Sequence, residues 1–359
     1  MLSYTSAVNI ALDATPLIVT GGVQRYTLEL ARALGAEFPN DQYWLLSDQM
    51  YPKPLDVTGN LHYGDPPSTW AGRKWWTLGL EREMSRRGVE LFHGTDFSVP
   101  YLRRRPSVLT LHDLSPWLGW HTGSWRVRRR TPVLLRLGLA TIVITPSEAV
   151  RRAAIEHFGL NSERVVAIPL AAGEGFRRVP ATPARPYFLF LGTLEARKNV
   201  TRLIEAWREV KKQHHVDLVL AGRARPDFPA PAPEPGLRLL GEVPESDLPG
   251  LYSGALACVY PSLYEGFGLP ALEAMQCGCV VITSRDPAIQ EVCAGAAVHV
   301  EAEDTKALAD ALTAVASAPE KFAELKEWAL RRSREFTWQR TARRTREVYE
   351  TARRLWGCQ

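Results

Sequence analysis

Apolar residues in the first half of the chain fall into short runs, separated by stretches in which they recur every three or four positions. Such runs predict buried strands, and the wider spacing predicts helices. The predicted strands are Val8–Leu12, Tyr43–Ser47, Leu91–His93, Val108–Leu111, Thr141–Thr145 and Val165–Ile168. Helices are predicted near Val23–Leu34 and Glu148–Phe158, the second with Ser147 as its N-cap. This alternation predicts a parallel sheet with crossover helices.

The alternation begins again after Pro180–Pro186, a proline-rich segment typical of a linker. The strands predicted beyond it are Tyr187–Leu191, Leu218–Ala221, Leu237–Leu240, Ala257–Tyr260, Val280–Thr283 and Ala297–His299. Helices are predicted near Thr201–Lys211, from Pro270, and from about Thr305 to the end. Pro226–Pro235 is interpreted as a surface loop within this second series. The chain is therefore predicted to form two α/β domains.

Length and composition agree with two domains. The chain has 359 residues, of which 45% are hydrophobic and 23% charged, enough to form two cores of ordinary size. No apolar run reaches the roughly 18 residues that a membrane span needs. Asp13 interrupts the first apolar stretch and no basic segment precedes it, so we expect no signal peptide. Five cysteines without a Cys-x-x-Cys pair indicate reduced thiols in a cytoplasmic protein.

Positive charge is concentrated in one stretch of the first half. Tyr101–Arg130 contains seven arginines, three tryptophans and a single acid, Asp113. The segment Arg73–Trp76 upstream adds two basic residues and two tryptophans. Three interpretations are open: a solvated arginine face with tryptophans in the core, an interface with an anionic membrane or lipid-linked acceptor, and a nucleic-acid surface. The last has the least support, and we expect no nucleic-acid partner.

The segment Pro261–Glu273 is the most informative for chemistry. It follows a predicted strand and reads as a glycine loop leading into a short helix, with Glu265 in the loop and Glu273 about one turn inside the helix. The glycines of this loop, Gly266 and Gly268, permit backbone conformations that other residues resist. Free N–H groups at the helix start attract an anion, and each carboxylate can hold two hydroxyls of a polyol. Alternatively, both glutamates are ordinary helix-start and surface acids.

Glu265 and Glu273 are separated by seven residues, and with Gly-Phe-Gly-Leu-Pro this spacing resembles the E-x7-E signature of retaining glycosyltransferase family 4, the group 1 transferases. Other segments resemble that family in order and context: Thr20–Tyr26, Leu111–Ser115, Gly192–Asn199 and Tyr252–Ser262. The resemblance extends from about Gly21 to Trp338. It implies two Rossmann-like doubly wound lobes facing across a cleft, the GT-B architecture. Residues 1–180 would form an acceptor-binding lobe and 185–337 a donor-binding lobe, with a last helix at about 338–359 returning to the first lobe.

The resemblance also implies roles for single residues. Glu265 would hold hydroxyls of the donor sugar, Glu273 the ribose of the nucleotide, and Lys198, with Arg197, the leaving diphosphate. Positive groups fixed there would stabilise the charge that grows as the glycosidic bond breaks. Loop residues expected to add donor contacts, partly through backbone N–H groups, are Gly266, Phe267, Gly268 and Leu269.

One position departs from the family pattern. Many relatives have an arginine where this chain has Thr193, so the second phosphate contact is open; Arg223, after a later strand, would be a replacement or else a solvated arginine. His112 is implied to lie at the reacting face of the donor sugar, or else it is a core histidine beside Asp113. Gly21 and Gly22 would let the backbone approach the diphosphate or acceptor, or else they form an ordinary turn.

The implied activity is hexosyl transfer with retention, by attack on the same face as the leaving group. The first choice is mannose from GDP-mannose, moved to a glycan or lipid-linked acceptor in polysaccharide or O-antigen assembly. The alternatives are a related nucleotide-sugar enzyme, such as an epimerase or phosphorylase, and a non-catalytic binding protein. No Asp-x-Asp clamp is found in the sequence, so we expect no metal cofactor. Peripheral contact with the inner face of the cell membrane is a further expectation.

Overall fold

The computed structural model describes residues 7–19, 21–53, 58–68, 74–120, 125–229 and 231–358. It divides the chain into two compact units, Met1–Leu170 with Thr337–Gln359, and Ala171–Phe336. The sequence had placed the division between residues 180 and 185. The structure places it at Leu170, within a segment without helix or strand that runs from Ile168 to Pro186.

The first unit is built on a parallel sheet. Its described strands are β1 (Asn9–Asp13), β2 (Gln42–Leu46), β3 (Leu61–Tyr63), β4 (Leu91–Gly94), β5 (Ser107–Thr110), β6 (Ile142–Thr145) and β7 (Val165–Ala167). They lie in the order β3-β2-β1-β4-β5-β6-β7. Every residue of β4, β5 and β6 is buried, as expected where helices cover both faces of a parallel sheet.

The described helices of the first unit that precede β7 lie between its strands in sequence. They are α1 (Gly22–Glu37), α2 (Leu80–Arg86), preceded by a π-helical turn at Trp75–Gly79, α3 (Trp125–Arg136) and α4 (Glu148–Phe158). Helix α4 begins and ends on local signals, because Ser147 Oγ accepts a hydrogen bond from Val150 N at 3.2 Å and Gly159 has φ +63°. Short 3-10 turns lie at Thr15–Ile18 and Ser162–Arg164.

The second unit has a parallel sheet of its own. Its described strands are β8 (Tyr187–Leu191), β9 (Asp217–Ala221), β10 (Leu237–Gly241), β11 (Ala257–Tyr260), β12 (Val280–Ser284) and β13 (Val298–Val300), in the order β10-β9-β8-β11-β12-β13. Its helices are α5 (Val200–Val210), α6 (Leu248–Gly254), α7 (Leu269–Gln276), α8 (Pro287–Cys293), α9 (Thr305–Ser317) and α10 (Ala323–Ser333). Further 3-10 turns lie at Ala196–Lys198, Glu245–Asp247 and Pro319–Phe322.

The last helix, α11 (Trp338–Gly357), belongs to the first unit. It packs mainly against α1 and also contacts β5. Arg346 is 1% exposed and forms an ion pair with Asp41 at 2.5 Å. Tyr349 shares a 2.7 Å hydrogen bond with Nδ1 of His93 in β4. The first unit is therefore completed by a segment that follows the whole second unit in sequence.

Several elements differ from the sequence prediction. Pro270 is the second residue of α7 rather than the first. The elements that the pattern did not predict are β3, α2, α3, α6 and α8. These are short, except for α3, which contains Pro132 and no acidic residue. None of the described helices is long and apolar enough to cross a membrane.

Candidate active site

The two loops singled out in the second half of the sequence meet beyond the carboxyl ends of two neighbouring strands, β8 and β11, in the second sheet. β8 and β11 are neighbours there although β9 and β10 come between them in sequence. Such a reversal of strand order opens a crevice beyond the carboxyl ends of the strands. The loop Gly192–Asn199 follows β8, and the loop Pro261–Gly268 follows β11. Leu263 N donates to Arg197 O at 2.8 Å and so joins the two loops.

Glu265 is the centre of this site. Its side chain is buried and accepts from Lys198 Nζ at 2.6 Å on Oε1 and from Arg197 Nη1 at 3.0 Å on Oε2. Burial alone would raise the pKa of Glu265, but Lys198 and Arg197 hold it at about 2. Burial, with Arg197, lowers the pKa of Lys198, and Glu265 opposes that change. The carboxylate is therefore ionised and lies between two cations.

Two residues of the site were missed from the sequence. Glu195 is buried and accepts from Arg197 Nη2 at 2.8 Å, so the guanidinium lies between two carboxylates. Tyr260, the last residue of β11, accepts a hydrogen bond from Lys198, whose Nζ lies 4.7 Å from the centre of its ring. The signals were weak, because a tyrosine ending a buried strand and an acid two residues before an arginine are common features.

Glu273 lies inside α7 and is 1% exposed. The hydroxyl of Tyr252, in α6, donates to its Oε2 at 2.9 Å. Gly268 caps the start of α7 with φ +99°, a conformation that favours glycine, and Leu269 is the first helical residue. Phe267 is buried against Phe336, with ring centroids 5.9 Å apart. The segment therefore carries one acid on the loop and a second on the helix that follows it.

Thr193 and Arg223 lie on adjacent strand ends. Leu194 N, next to Thr193, donates to Arg223 O at 2.9 Å, and the Arg223 side chain is exposed. The backbones approach closely here, since a Cβ on Gly222 would lie 2.1 Å from Gly192 O. Thr193 and Arg223 therefore lie on neighbouring loops of the second unit, and a phosphate contact by Arg223 stays a prediction.

The remaining predicted residues lie in the first unit. Gly21 is the N-cap of α1, with φ +141°, and Gly22 is its first residue; Thr20, at the start of that motif, lies outside the described residues. His112 follows β5 and its Nε2 contacts Thr95 O at 2.7 Å. Because a carbonyl oxygen only accepts, Nε2 carries the proton and Nδ1 is left as an acceptor. Burial lowers the pKa of His112, which favours this neutral form.

The structure thus brings Glu265, Lys198 and Arg197 into contact and places Glu273 on the helix that follows their loop. His112, Gly21 and Gly22 belong to the other unit. In the part of the chain that the structure describes, no group of three or more His, Cys, Asp or Glu side chains could hold a metal ion. All five cysteines are free thiols, and only Cys358 is exposed.

Two family models match the chain. Residues 20–172 match Glycosyltransferase Family 4, and residues 185–318 match Glycosyl transferases group 1. The two family models show the class, a glycosyltransferase, and the two parallel-sheet units agree with it. The chain belongs to the family 4, group 1 glycosyltransferases, and the family predicted from the sequence is confirmed.

Curated relatives carry mannosyltransferase names. The chain is 33% identical over 243 residues to O-antigen chain mannosyltransferase B of Escherichia coli, covering 61% of this chain and 63% of that protein. It is 26% identical over 271 residues to the O-antigen chain mannosyltransferase RfbU of Salmonella typhimurium, covering 74% of this chain and 75% of that one. It matches only 32% of the length of the serotype-specific mannosyltransferase WbdA of Escherichia coli.

Solved structures share the fold. Sucrose-phosphate synthase from Thermosynechococcus elongatus superposes with a TM-score of 0.75 at 20% identity, covering 98% of this chain and 100% of that one. HepE of Anabaena, in a complex with UDP and glucose, gives a TM-score of 0.71 at 18% identity, covering 96% of this chain and 99% of that one. The predicted class of two doubly wound α/β domains is confirmed.

Proposed function

We propose that this chain transfers mannose from GDP-mannose to a glycan or lipid-linked acceptor, with retention, in the assembly of a polysaccharide of O-antigen type. The observation that carries the proposal is the buried, ionised Glu265, held by Lys198 and Arg197 beyond the ends of β8 and β11. The mannosyltransferase names of the relatives support this choice of sugar.

In the proposed reaction, Glu265 accepts hydrogen bonds from donor-sugar hydroxyls and Glu273 from the ribose. The bond from the anomeric carbon to the diphosphate breaks as the acceptor oxygen bonds that carbon on the same face. The acceptor proton passes to the leaving phosphate oxygen. Lys198, with the backbone N–H groups near Gly268 and Leu269, stabilises the growing negative charge of the leaving group. His112 offers its neutral Nδ1 as an acceptor for a sugar hydroxyl.

A panel of nucleotide sugars tests the choice of donor. Purified protein is incubated with GDP-mannose, UDP-glucose and related donors, and hydrolysis and thermal stabilisation are measured. We expect slow hydrolysis and the largest stabilisation with GDP-mannose. A response to UDP-sugars alone would show that the donor is a UDP-sugar and not GDP-mannose. Interconversion of sugars would indicate an epimerase, and binding without turnover would indicate a non-catalytic protein. Nuclear magnetic resonance of the product reports whether configuration is retained.

Two substitutions test the assigned residues. Glu265→Ala and Lys198→Ala should each lower turnover by roughly 100- to 1000-fold, because each removes a group that contacts the reacting donor. Glu209 and Lys212 form a matched control, since they are an exposed ion pair at 2.6 Å in the same unit. Glu209→Ala and Lys212→Ala should leave turnover unchanged. Near-normal turnover of a folded Glu265→Ala protein would refute the assignment.

We also propose that the reaction needs no divalent metal, because Lys198 and the start of α7 supply positive charge at the diphosphate. Turnover measured after dialysis against EDTA should equal that of untreated protein. Loss of turnover that Mg²⁺ or Mn²⁺ restores, with Ca²⁺ as the comparison ion, would show that a metal takes part.

We propose further that, with a lipid-linked acceptor, the chain contacts the cytoplasmic membrane face through α3. At 3.6 residues per turn, Trp125, Arg129, Val133 and Arg136 fall along one side of this helix, and all four are exposed. Leu137, just beyond the helix, is also exposed. No acid occurs from Trp125 to Leu137. Exposed apolar side chains among arginines suit an anionic lipid surface.

A further inference from the structure

A buried carboxylate outside the predicted motifs binds the backbone of the loop that carries Glu265. Asp286 lies just after β12, is 9% exposed, and is the N-cap of α8. Its Oδ1 accepts from Ala288 N at 2.9 Å and from Ile289 N at 3.2 Å. Its Oδ2 accepts from the backbone N–H of Glu265 at 3.2 Å. One carboxylate therefore joins the start of a helix to the residue at the centre of the candidate site.

A second contact between the same elements lies three residues further along the loop. A Cβ on Gly268 would lie 3.4 Å from Cγ1 of Ile289, so α8 packs directly against the glycine that caps α7. The N–H of that same Ile289 is one of the two that Asp286 caps. Asp286 therefore fixes the element that supports the loop, and it also holds the loop itself at Glu265.

The side chain and the backbone of Glu265 are held by different partners. Lys198 and Arg197 bind the carboxylate, and these are the groups that a bound donor would rearrange. The Asp286 carboxylate accepts its hydrogen bonds from three main-chain N–H groups, so its hold on the loop persists when the side-chain partners of Glu265 change. Burial raises the pKa of Asp286 to about 6, so the group is ionised at pH 7.5 and both oxygens accept.

We propose that Asp286 is a positioning residue for the transfer reaction, acting through the backbone of Glu265 rather than on the substrate. The inference rests on the proposed role of Glu265 at the donor sugar. A misplacement of about 1 Å at a reacting centre costs roughly 100-fold in rate. Nucleotide binding should be spared, because Glu265 is assigned to the sugar.

Asparagine separates the two tasks of this side chain. In Asp286→Asn the remaining oxygen still caps α8, but an NH₂ group now faces the Glu265 N–H, and two donors cannot bond. Asp286→Ser likewise keeps a capping oxygen and is too short to reach Glu265. Asp304→Asn is the matched control, because Asp304 caps α9 in the same unit through a 2.8 Å bond from Ala307 N.

Two quantities are measured for each variant. One is turnover of GDP-mannose, or of the donor that the panel selects, and the other is the rise in melting temperature on adding GDP or the nucleoside diphosphate of that donor. We expect Asp286→Asn to lose roughly 100-fold in kcat, with an unchanged shift by the diphosphate, while Asp304→Asn keeps wild-type turnover. Hydrogen exchange should quicken in the peptide containing Glu265 and stay slow in α8. Asp286→Ser should behave as Asp286→Asn, and it replaces that variant should the latter fail to fold.

Turnover of either folded Asp286 variant within twofold of wild type would overturn the inference. So would unchanged exchange at the Glu265 peptide. These results are distinct from failure of the proposed function, which would instead be seen as near-normal turnover of Glu265→Ala. A loss of the diphosphate shift in Asp286→Asn would also overturn the inference, because it would mean a general collapse of the site.

Discussion

At the residue scale, the charged side chains around Glu265 form one continuous set of contacts. Arg225 pairs with Glu195 at 3.3 Å, Glu195 with Arg197, and Glu265 with both Arg197 and Lys198. A buried ion pair that loses one partner leaves the other charge uncompensated, and this is strongly destabilising. Turnover of any variant in this set therefore has to be compared at equal folded fraction.

A different buried acid should make the stability of the first unit depend on pH near neutrality. Asp13 ends β1, is 2% exposed and accepts from Thr15 N at 3.0 Å. Burial raises its pKa to about 7, so folding takes up a proton between about pH 4 and pH 7. The stability that this carboxyl contributes is present below its unfolded pKa and is lost as the pH rises through 7.

Asp13→Asn should remove that loss, because the amide oxygen still accepts from Thr15 N and carries no charge. We expect unfolding free energy at pH 8 to rise by on the order of 2 kcal/mol, with little change at pH 5. Urea unfolding across this range measures it. Asp65→Asn, at an exposed position, is the control. An equal or lower stability of Asp13→Asn at pH 8 would contradict the prediction.

Much of the site could be predicted from local sequence, and the rest depends on which loops meet. Glu265, Glu273 and the Arg197-Lys198 pair lie in motifs whose spacing is visible along the chain. Asp286 is 21 residues from its partner Glu265, and Tyr252 is 21 from Glu273. Contacts of this kind are set by strand order, since β12 lies beside β11, and no local pattern encodes that order.

At the element scale, α3 shows why a helix was missed. Pro132 lies inside it and has no N–H to donate to the carbonyl of Arg128 four residues earlier. The indole Nε1 of Trp117 donates to that carbonyl instead, at 3.1 Å. A side chain from another segment thus supplies the bond that proline removes. In the sequence this segment was interpreted from its arginines and tryptophans alone. They suggested a binding surface, and no helix was predicted there.

The basic stretch and the segment upstream of it contain both buried and exposed tryptophans, so neither interpretation of the sequence holds for all of them. Trp75 is buried and Trp117 is half-buried, whereas Trp125 is 57% exposed. Arg130 lies over the ring of Trp76 at 5.6 Å and also bonds Ser98. Arg126, Arg129 and Arg136 are exposed. Arg103, Arg104 and Arg128 are exposed as well. Arg126, Arg129 and Arg136 are chosen here to test a lipid interface on α3, and Arg73, upstream, lies outside the described residues.

Replacing Arg126, Arg129 and Arg136 by serine should weaken binding to vesicles containing anionic lipid. Each arginine near such a surface contributes about 1 kcal/mol, so the loss in affinity should be roughly 100-fold at low salt. Cosedimentation with neutral and anionic vesicles measures it, and 0.5 M salt should abolish the difference. Arg331, Arg334 and Arg340, all exposed, give a control of equal charge. An equal loss of vesicle affinity in both triple variants would show that α3 is not a specific lipid-binding surface.

At the scale of the whole molecule, the chain leaves the first unit at Leu170 and returns to it at Thr337. The returning helix could be expected from the resemblance, but the contacts that hold it could not. Its inward face carries Thr341, Thr345, Tyr349 and Ala352, which are all buried. Because α11 follows the second unit in sequence, the first unit lacks part of its core until the second unit has been made.

Replacing the buried Arg346 in α11 should therefore destabilise the first unit, although most of that unit is formed by residues before Leu170. Arg346→Ala leaves Asp41 without its cation, while Asp41 still accepts from Val8 N at 2.8 Å and from the Tyr43 hydroxyl at 3.1 Å. Breaking a buried pair of this kind costs about 3–5 kcal/mol. Arg343, on the same helix, pairs with Glu37 at 2.7 Å but its side chain is 60% exposed, so Arg343→Ala should cost about 0–1 kcal/mol.

Hydrogen exchange followed by mass spectrometry assigns the loss to one unit. In Arg346→Ala, peptides from β1, β2 and α1 should exchange faster, while peptides from β8, β11 and α7 keep their protection. The nucleoside diphosphate should add protection only to the second set, because a ligand stabilises the state that binds it. Uniform loss across both sets would mean that the two units unfold as one. Unchanged exchange in the first set would mean that the Arg346–Asp41 pair does not hold α11 in place.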